Sequence, residues 1–129
     1  MLNDTLANAL SKIMNAEKVG KKECIIDPAS KIIRKVLDIM KDNGYIGEYK
    51  DVESSQGTFI VVNLLGNINH CNAIKPRYSV GIDTFVKFEK RYLLSHEFGL
   101  LILSTHKGIM THKQAKENKT GGRLLAVCY

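Results

Sequence analysis

Two unbroken apolar runs, LLIL at 100–103 and LLAVC at 124–128, constrain this chain more than anything else in it. Each is too short for a buried helix, so each reads as a core strand. Between them Thr111-His112-Lys113-Gln114 has the Thr-x-x-Gln spacing of a capping box, in which a hydroxyl and a side-chain amide satisfy the free N–H groups of a helix start. A short helix, HKQAKENK, follows and ends before Gly121-Gly122. The end of the chain is therefore expected to run strand, loop, capped helix, double glycine, strand.

The first half has a different texture. Leu6, Ala9, Leu10, Ile13 and Met14 recur at helical spacing, with Asp4 or Thr5 placed to cap the first turn and Gly20 to break it. Residues 23–26 predict a short strand stopped by Asp27-Pro28. In SKIIRKVLDIMKDNG, Ile32, Ile33, Val36, Leu37 and Met40 share one face of a second helix, with Ser30 as N-cap and Gly44 as the stop. Two strand-like runs, YIGEYKDVE and QGTFIVVNLLG, meet at Ser54-Ser55-Gln56-Gly57, which reads as a hairpin. Residues 67–72 are polar and loop or begin a strand, 73–80 predict a strand interrupted at its edge by Pro76, and IDTFVKFEKRYLLS alternates imperfectly. The expected fold is α/β of the α+β kind, in two small domains. Residues 1–72 form an N-terminal α-β-α-β-β unit, and residues 73–129 form a mainly β unit with one short helix.

Charge separates the halves as well. Residues 1–64 carry 9 Lys and Arg against 9 Asp and Glu, whereas 65–129 carry 10 against 4, so the whole net charge of +6 lies in the second half. One-sided basicity is the footprint of a phosphate binder, because Lys and Arg release the counterions of nucleic acid; acidic lipids or proteins would also suit it. No apolar run approaches the roughly 20 residues of a membrane span, and MLNDTLANAL lacks the basic start of a signal peptide, so a soluble cytoplasmic protein with no membrane partner is expected. Cys24, Cys71 and Cys128 are odd in number and contain no C-x-x-C, which reads as buried thiols rather than a disulfide framework or zinc knuckle.

The chemistry-bearing segment is Ser104-Thr105-His106-Lys107-Gly108, at the end of the first apolar run. A nucleophilic serine would need a base and an orienting acid, and neither a Gly-x-Ser-x-Gly elbow nor a nearby acid is present. For metal, His106 and His112 are six residues apart and His70 and His96 stand alone, so four ordinary surface or half-buried histidines are expected, with no metal and no cofactor. Polar recognition fits better: two hydroxyls can donate to and accept from ribose 2′-OH groups, Lys107 suits a phosphate, and Gly108 removes a side chain where the loop turns. Gly121-Gly122-Arg123 repeats the recipe, and the helix opening at Thr111 could offer free N–H groups to an anion. Tyr78, Tyr92 and Tyr129 are the candidates for partial exposure, but with nine aromatics in all, structured RNA suits the chain better than stacking on a single strand.

With these residues in view, the chain resembles the small-subunit ribosomal protein eight family, in its archaeal form. The matching stretches are DTLANALSKIMNA, DPASKIIRKVLDIMKDNGYIGEY and LLILSTHKGIMTHKQAKENKTGGRLLAVCY; residues 48–98 carry less of the likeness. The resemblance implies a two-domain, non-enzymatic structural protein that binds a helical stem in the central domain of small-subunit ribosomal RNA, early in assembly and mainly through its second domain. Neighbouring small-subunit ribosomal proteins are the other implied partners. Bacterial members also bind their own messages, and for this chain its own messenger RNA is an open alternative. Residue by residue, the resemblance places Ser104, Thr105, His106, Lys107, Gly108, Gly121, Gly122 and Arg123 at the RNA, with Asp4, Thr5, Ser30 and Lys31 near its backbone. Two positions depart from the pattern: His106 replaces the second serine of Ser-Thr-Ser, and Arg123 replaces a glutamate of the bacterial form. The alternatives are a basic module for another structured RNA or an acidic protein, and an enzyme acting on a phosphorylated ligand.

Overall fold

Apolar residues at helical spacing build the first helix, α1 (Thr5–Val19), which buries Leu6, Ala9, Leu10, Ile13 and Ala16. The structure, a computed structural model, describes residues 5–26, 30–75, 77–93 and 99–129, so Asp4, Pro76 and His96 lie outside the described residues. Two compact units divide the chain, Met1–Cys71 and Asn72–Tyr129. No helix among the described residues is long and apolar enough to cross a membrane.

In the first unit α1 is followed by β1 (Glu23–Ile26), α2 (Lys31–Asp42), β2 (Ile46–Ser54) and β3 (Gly57–Leu64), and the strands form an antiparallel sheet in the order β1-β3-β2. The expected α-β-α-β-β order holds throughout. Ser30 caps α2, its hydroxyl accepting from the Ile33 N–H at 3.3 Å, an arrangement that contributes about 1 kcal/mol. Of the five apolar residues expected on its inner face, Ile33, Val36, Leu37 and Met40 are buried but Ile32 is 39% exposed. Ile32 sits one position round from Ile33, beyond the edge of the buried stripe. The hairpin closes with Ser54 paired to Gly57, the Ser54 hydroxyl donating to the Gly57 carbonyl at 3.0 Å and accepting from the Gln56 N–H at 3.3 Å. Cys71, at the end of this unit, donates its thiol proton to the Leu10 carbonyl at 3.5 Å; burial pushes the thiol up to about 12, with the Glu17 carboxylate acting in the same direction.

The second unit is built on a five-stranded sheet: β4 (Cys71–Ala73), which begins on the last residue of the first unit, β5 (Ser79–Val80), β6 (Leu100–Thr105), β7 (Gly108–Thr111) and β8 (Gly122–Cys128), with β5, β6, β7 and β8 paired antiparallel. The order is β4-β8-β6-β7, with β5 also paired to β8. The single strand expected over 73–80 is thus two short ones, both bonded to β8: Ile74 N–H donates to the Leu125 carbonyl, and Ser79 pairs with Arg123. A larger correction concerns residues 82–92. A 3-10 turn (Ile82–Thr84) leads into a second helix of this unit, α3 (Phe85–Tyr92), in addition to the capped helix α4 (His112–Glu117). Phe85, Phe88 and Glu89 are buried, the i, i+3, i+4 spacing of a helix rather than the alternation of a strand. Both aromatic rings join Leu101, Leu103, Leu124 and Val127 of the sheet in one core cluster.

Helix α4 brings a further correction, at His112. This residue is not a surface histidine but fully buried. Ile102 pairs with Thr111, and where β7 gives way to the helix the Leu101 N–H donates instead to His112 Nδ1 at 3.1 Å. The side chain completes a ladder that the backbone has left, and its acceptor role puts the ring proton on Nε2. The carboxylate of Glu89, 3% exposed, forms an ion pair with Lys116 and tethers α3 to α4, with His112 Nε2 3.9 Å from the same oxygen. The helix stops at Lys119, whose φ of 55° puts a lysine in the left-handed conformation that Gly20 and Gly44 adopt at the ends of α1 and α2. In all three stops the next N–H reaches back five residues, from Lys21 to Ala16, Tyr45 to Met40 and Thr120 to Ala115.

Candidate nucleic-acid interface

The run LLILSTHKGIM is a hairpin. Ser104 and Thr105 end β6, His106 and Lys107 form the turn, and Gly108 opens β7 opposite Thr105 at φ 123°. The segment expected as a loop is therefore held by strand pairing on both sides. The Thr105 hydroxyl donates to the Gly108 carbonyl at 2.9 Å and accepts from the Lys107 N–H at 3.2 Å, so most of its bonding capacity goes to the turn. The Ser104 hydroxyl, by contrast, is exposed and makes no hydrogen bond among the described residues.

Strand register extends this site sideways. Ser104 pairs with Arg123 of β8, and Arg123 pairs with Ser79 of β5. Residues directly opposite in antiparallel strands share a face, so Ser79, Arg123 and Ser104 form a row of exposed polar side chains across three strands. Both glycines beside that row are required by close approach. A Cβ on Gly122 would run into the Ser104 carbonyl oxygen and stand 3.0 Å from Thr105 Cγ2, and one on Gly121 would run into the Val80 carbonyl oxygen. Gly121-Gly122 is thus the place where β8 threads between β5 and β6, bringing Arg123 beside Ser104. His106, Lys107 and Gly108 are exposed at the tip of the hairpin, a few ångströms of backbone further on.

Ser79 was not legible from sequence, since nothing local in RYSV shows which strand it will meet. The helix opening at Thr111 does not add an anion site. Its capping box is complete, with Thr111 Oγ1 accepting from the Gln114 N–H at 3.2 Å and Gln114 Oε1 from the Thr111 N–H at 3.1 Å, and both Thr111 and His112 are buried. Among the described residues no group of three or more His, Cys, Asp or Glu is placed to hold a metal ion.

Exposed hydroxyls and cations set across three paired strands suit many polar ligands. The sequence profile of the family described as Ribosomal protein S8 matches residues 4–129. The chain belongs to the ribosomal protein S8 family. It is similar to the small ribosomal subunit protein uS8 of Methanococcoides burtonii, 51% identical over 129 residues that make up 100% of this chain and 99% of that protein. The ribosomal protein S8 family is structural and ribosomal rather than enzymatic.

The remaining site residues expected from that family, Thr5, Ser30 and Lys31, belong to the first unit. Thr5 opens α1 and is half-buried, Ser30 commits its hydroxyl to the cap of α2, and Lys31 is exposed on the first turn.

Proposed function

We propose that this chain is a structural protein of the cytoplasmic small ribosomal subunit that binds a helical stem in the central domain of the small-subunit RNA and helps that domain assemble. The observation that carries the reading is the exposed row Ser79, Arg123, Ser104 beside the His106-Lys107 turn. A-form RNA presents 2′-OH groups and phosphates along a wide, shallow minor groove, and a row across three strands with a free hydroxyl, a guanidinium and a nearby ammonium matches that surface. Thr105 acts by holding the turn, Ser104 by direct contact with sugar or base edges, and Arg123 and Lys107 by neutralising phosphates. Thr5, Ser30 and Lys31 take the lesser part expected of them, near the RNA backbone. The first half, neutral in net charge, adjoins neighbouring ribosomal proteins as well as RNA. No observation speaks for a messenger RNA partner.

The test is binding to a central-domain stem and to a scrambled duplex of equal length, each at two salt concentrations. The wild type is expected to prefer the stem by more than about tenfold, or roughly 1.4 kcal/mol. Ser104→Ala should lose much of that preference with little change in salt dependence. Arg123→Ala should weaken both complexes and reduce the slope of log K against log salt by about 1. Equal binding of both RNAs by the wild type would overturn the assignment.

A further inference from the structure

The outer face of α3 is a charged surface outside the row described above. Around this eight-residue helix Phe85, Phe88 and Glu89 point inward, while Lys87, Lys90 and Arg91 are exposed together on the opposite side. Lys87 and Lys90 are three apart and Lys87 and Arg91 four apart, spacings at which like charges repel and weaken a helix. The single acidic residue of α3, Glu89, is buried and taken by Lys116. Among the described residues none of the three cations makes an ion pair. Stabilisation of the helix C-terminus accounts for Lys90 and Arg91 in the last turn, but Lys87 lies in the first half of the helix, where a cation gains nothing from the dipole.

The second observation is that one of these cations is held in place. The Arg91 guanidinium lies over two rings, 5.2 Å from the centroid of Tyr78 and 5.3 Å from that of Tyr92. Those rings are in turn packed on Phe88, Tyr78 at 5.6 Å and Tyr92 stacked at 6.5 Å. Lys87 lies 5.8 Å over the Phe88 ring itself. A planar fork pre-set on aromatic faces loses little freedom when its N–H edge meets a phosphate, unlike a lysine swinging in solvent. This face is also separate from the hairpin site. Leu103 shares a core cluster with Phe85 and Phe88, and side chains alternate along a strand, so Ser104 points to the side of the sheet away from α3.

We propose that Lys87, Lys90 and Arg91 form a second RNA-phosphate site, so that the second unit holds two RNA segments, one on each side of its sheet. The proposal rests on the reading of the chain as a ribosomal RNA-binding protein. Its chemistry is the phosphodiester backbone, without base recognition, since the polar side chains exposed together on the outer side of this helix are the three cations.

The experiment compares the short central-domain stem with a longer central-domain RNA that contains the same stem. The proteins are the wild type, Lys87→Gln/Lys90→Gln/Arg91→Gln, and Arg91→Lys, with the circular dichroism and melting temperature of each recorded. The triple variant is expected to bind the short stem within about threefold of wild type. On the long RNA it should lose roughly tenfold or more, with a salt slope lower by about 2 to 3. Arg91→Lys keeps the charge but not the planar fork and should show an intermediate loss on the long RNA. Unchanged binding to the long RNA, or an equal loss on both RNAs, would overturn the second site while leaving the stem-binding reading intact. Preference of the α3 face for an acidic polypeptide over the long RNA would also overturn it. Failure of the wild type to prefer the stem over a scrambled duplex would instead remove the reading on which the proposal rests.

Discussion

At the scale of single residues, two positions carry constraints that their neighbours do not. Gly122 is glycine because the Ser104 carbonyl occupies the place of its side chain, not because its backbone needs unusual angles. Lys119 is the reverse: its surroundings admit a side chain, but its φ of 55° favours glycine. A non-glycine residue in this region is disfavoured by roughly 1 to 2 kcal/mol, part of which glycine gives back as entropy of the unfolded chain. Lys119→Gly is therefore expected to stabilise the protein by about 0.5 to 1 kcal/mol in urea denaturation. A loss of stability would show that the lysine makes a compensating contact. Lys119 ends α4 ahead of the double glycine. A Gly pair after a helical run usually marks its end, and here a lysine has taken that role, leaving the glycines to the strand that follows.

At the scale of elements, α3 and α4 are joined by a buried carboxylate whose two partners differ in exposure: Lys116 is 39% exposed in its side chain and His112 not at all. Removing the lysine leaves an uncompensated charge in the core, whereas removing the carboxylate lets Lys116 turn to water. Lys116→Met is thus expected to cost about 3 kcal/mol and Glu89→Gln about 1 to 2 kcal/mol, both read from urea midpoints. The opposite order would mean that the carboxylate draws its stabilisation from elsewhere. Most elements were legible in the sequence because their signals are local: the Ser30 and Thr111 caps, the glycine stops of α1 and α2, and the apolar runs of β6 and β8. Helix α3 was missed because Phe85-Val86-Lys87-Phe88 begins like an alternating strand, and only the wider spacing of Phe85, Phe88 and Tyr92 reveals the helical period. The hairpin at 104–108 was missed for want of a comparison within the chain itself. Thr105-His106-Lys107-Gly108 repeats the chemistry of Ser54-Ser55-Gln56-Gly57, hydroxyl to glycine carbonyl and third N–H to hydroxyl, with the glycines at φ 123° and 127°. The composition of the interface was readable to that extent. Its assembly across β5, β8 and β6 was not, because register between distant strands leaves no local mark.

At the scale of the whole molecule, groups that burial holds protonated give stability a pH dependence, and the share of one of them, the Cys71 thiol, can be isolated. Cys71 is raised from 9.0 to about 12, chiefly by burial. Above pH 9 the unfolded chain gives up a proton that the folded chain retains, so stability is unaffected below that pH and falls as pH rises toward 12. Between pH 8 and pH 10 the wild type should lose about 1 kcal/mol more than Cys71→Ala, measured by urea denaturation. Tyr49, also raised to about 12 by burial and its bond to Asp38, acts in the same direction in both proteins, so the difference isolates the thiol. Equal slopes for the two proteins would mean that Cys71 titrates normally. The distribution of charge gives the molecule its polarity of purpose, with a neutral half and a half holding the whole excess of +6. The paired hairpins sharpen that division. The same turn closes both, yet one presents Ser55 and Gln56 and the other His106 and Lys107. Folding asks only for the hydroxyl and the glycine that bracket the turn, so the two residues at its tip are free to vary with the surface they meet. Contact chemistry there can evolve without any renegotiation of the fold.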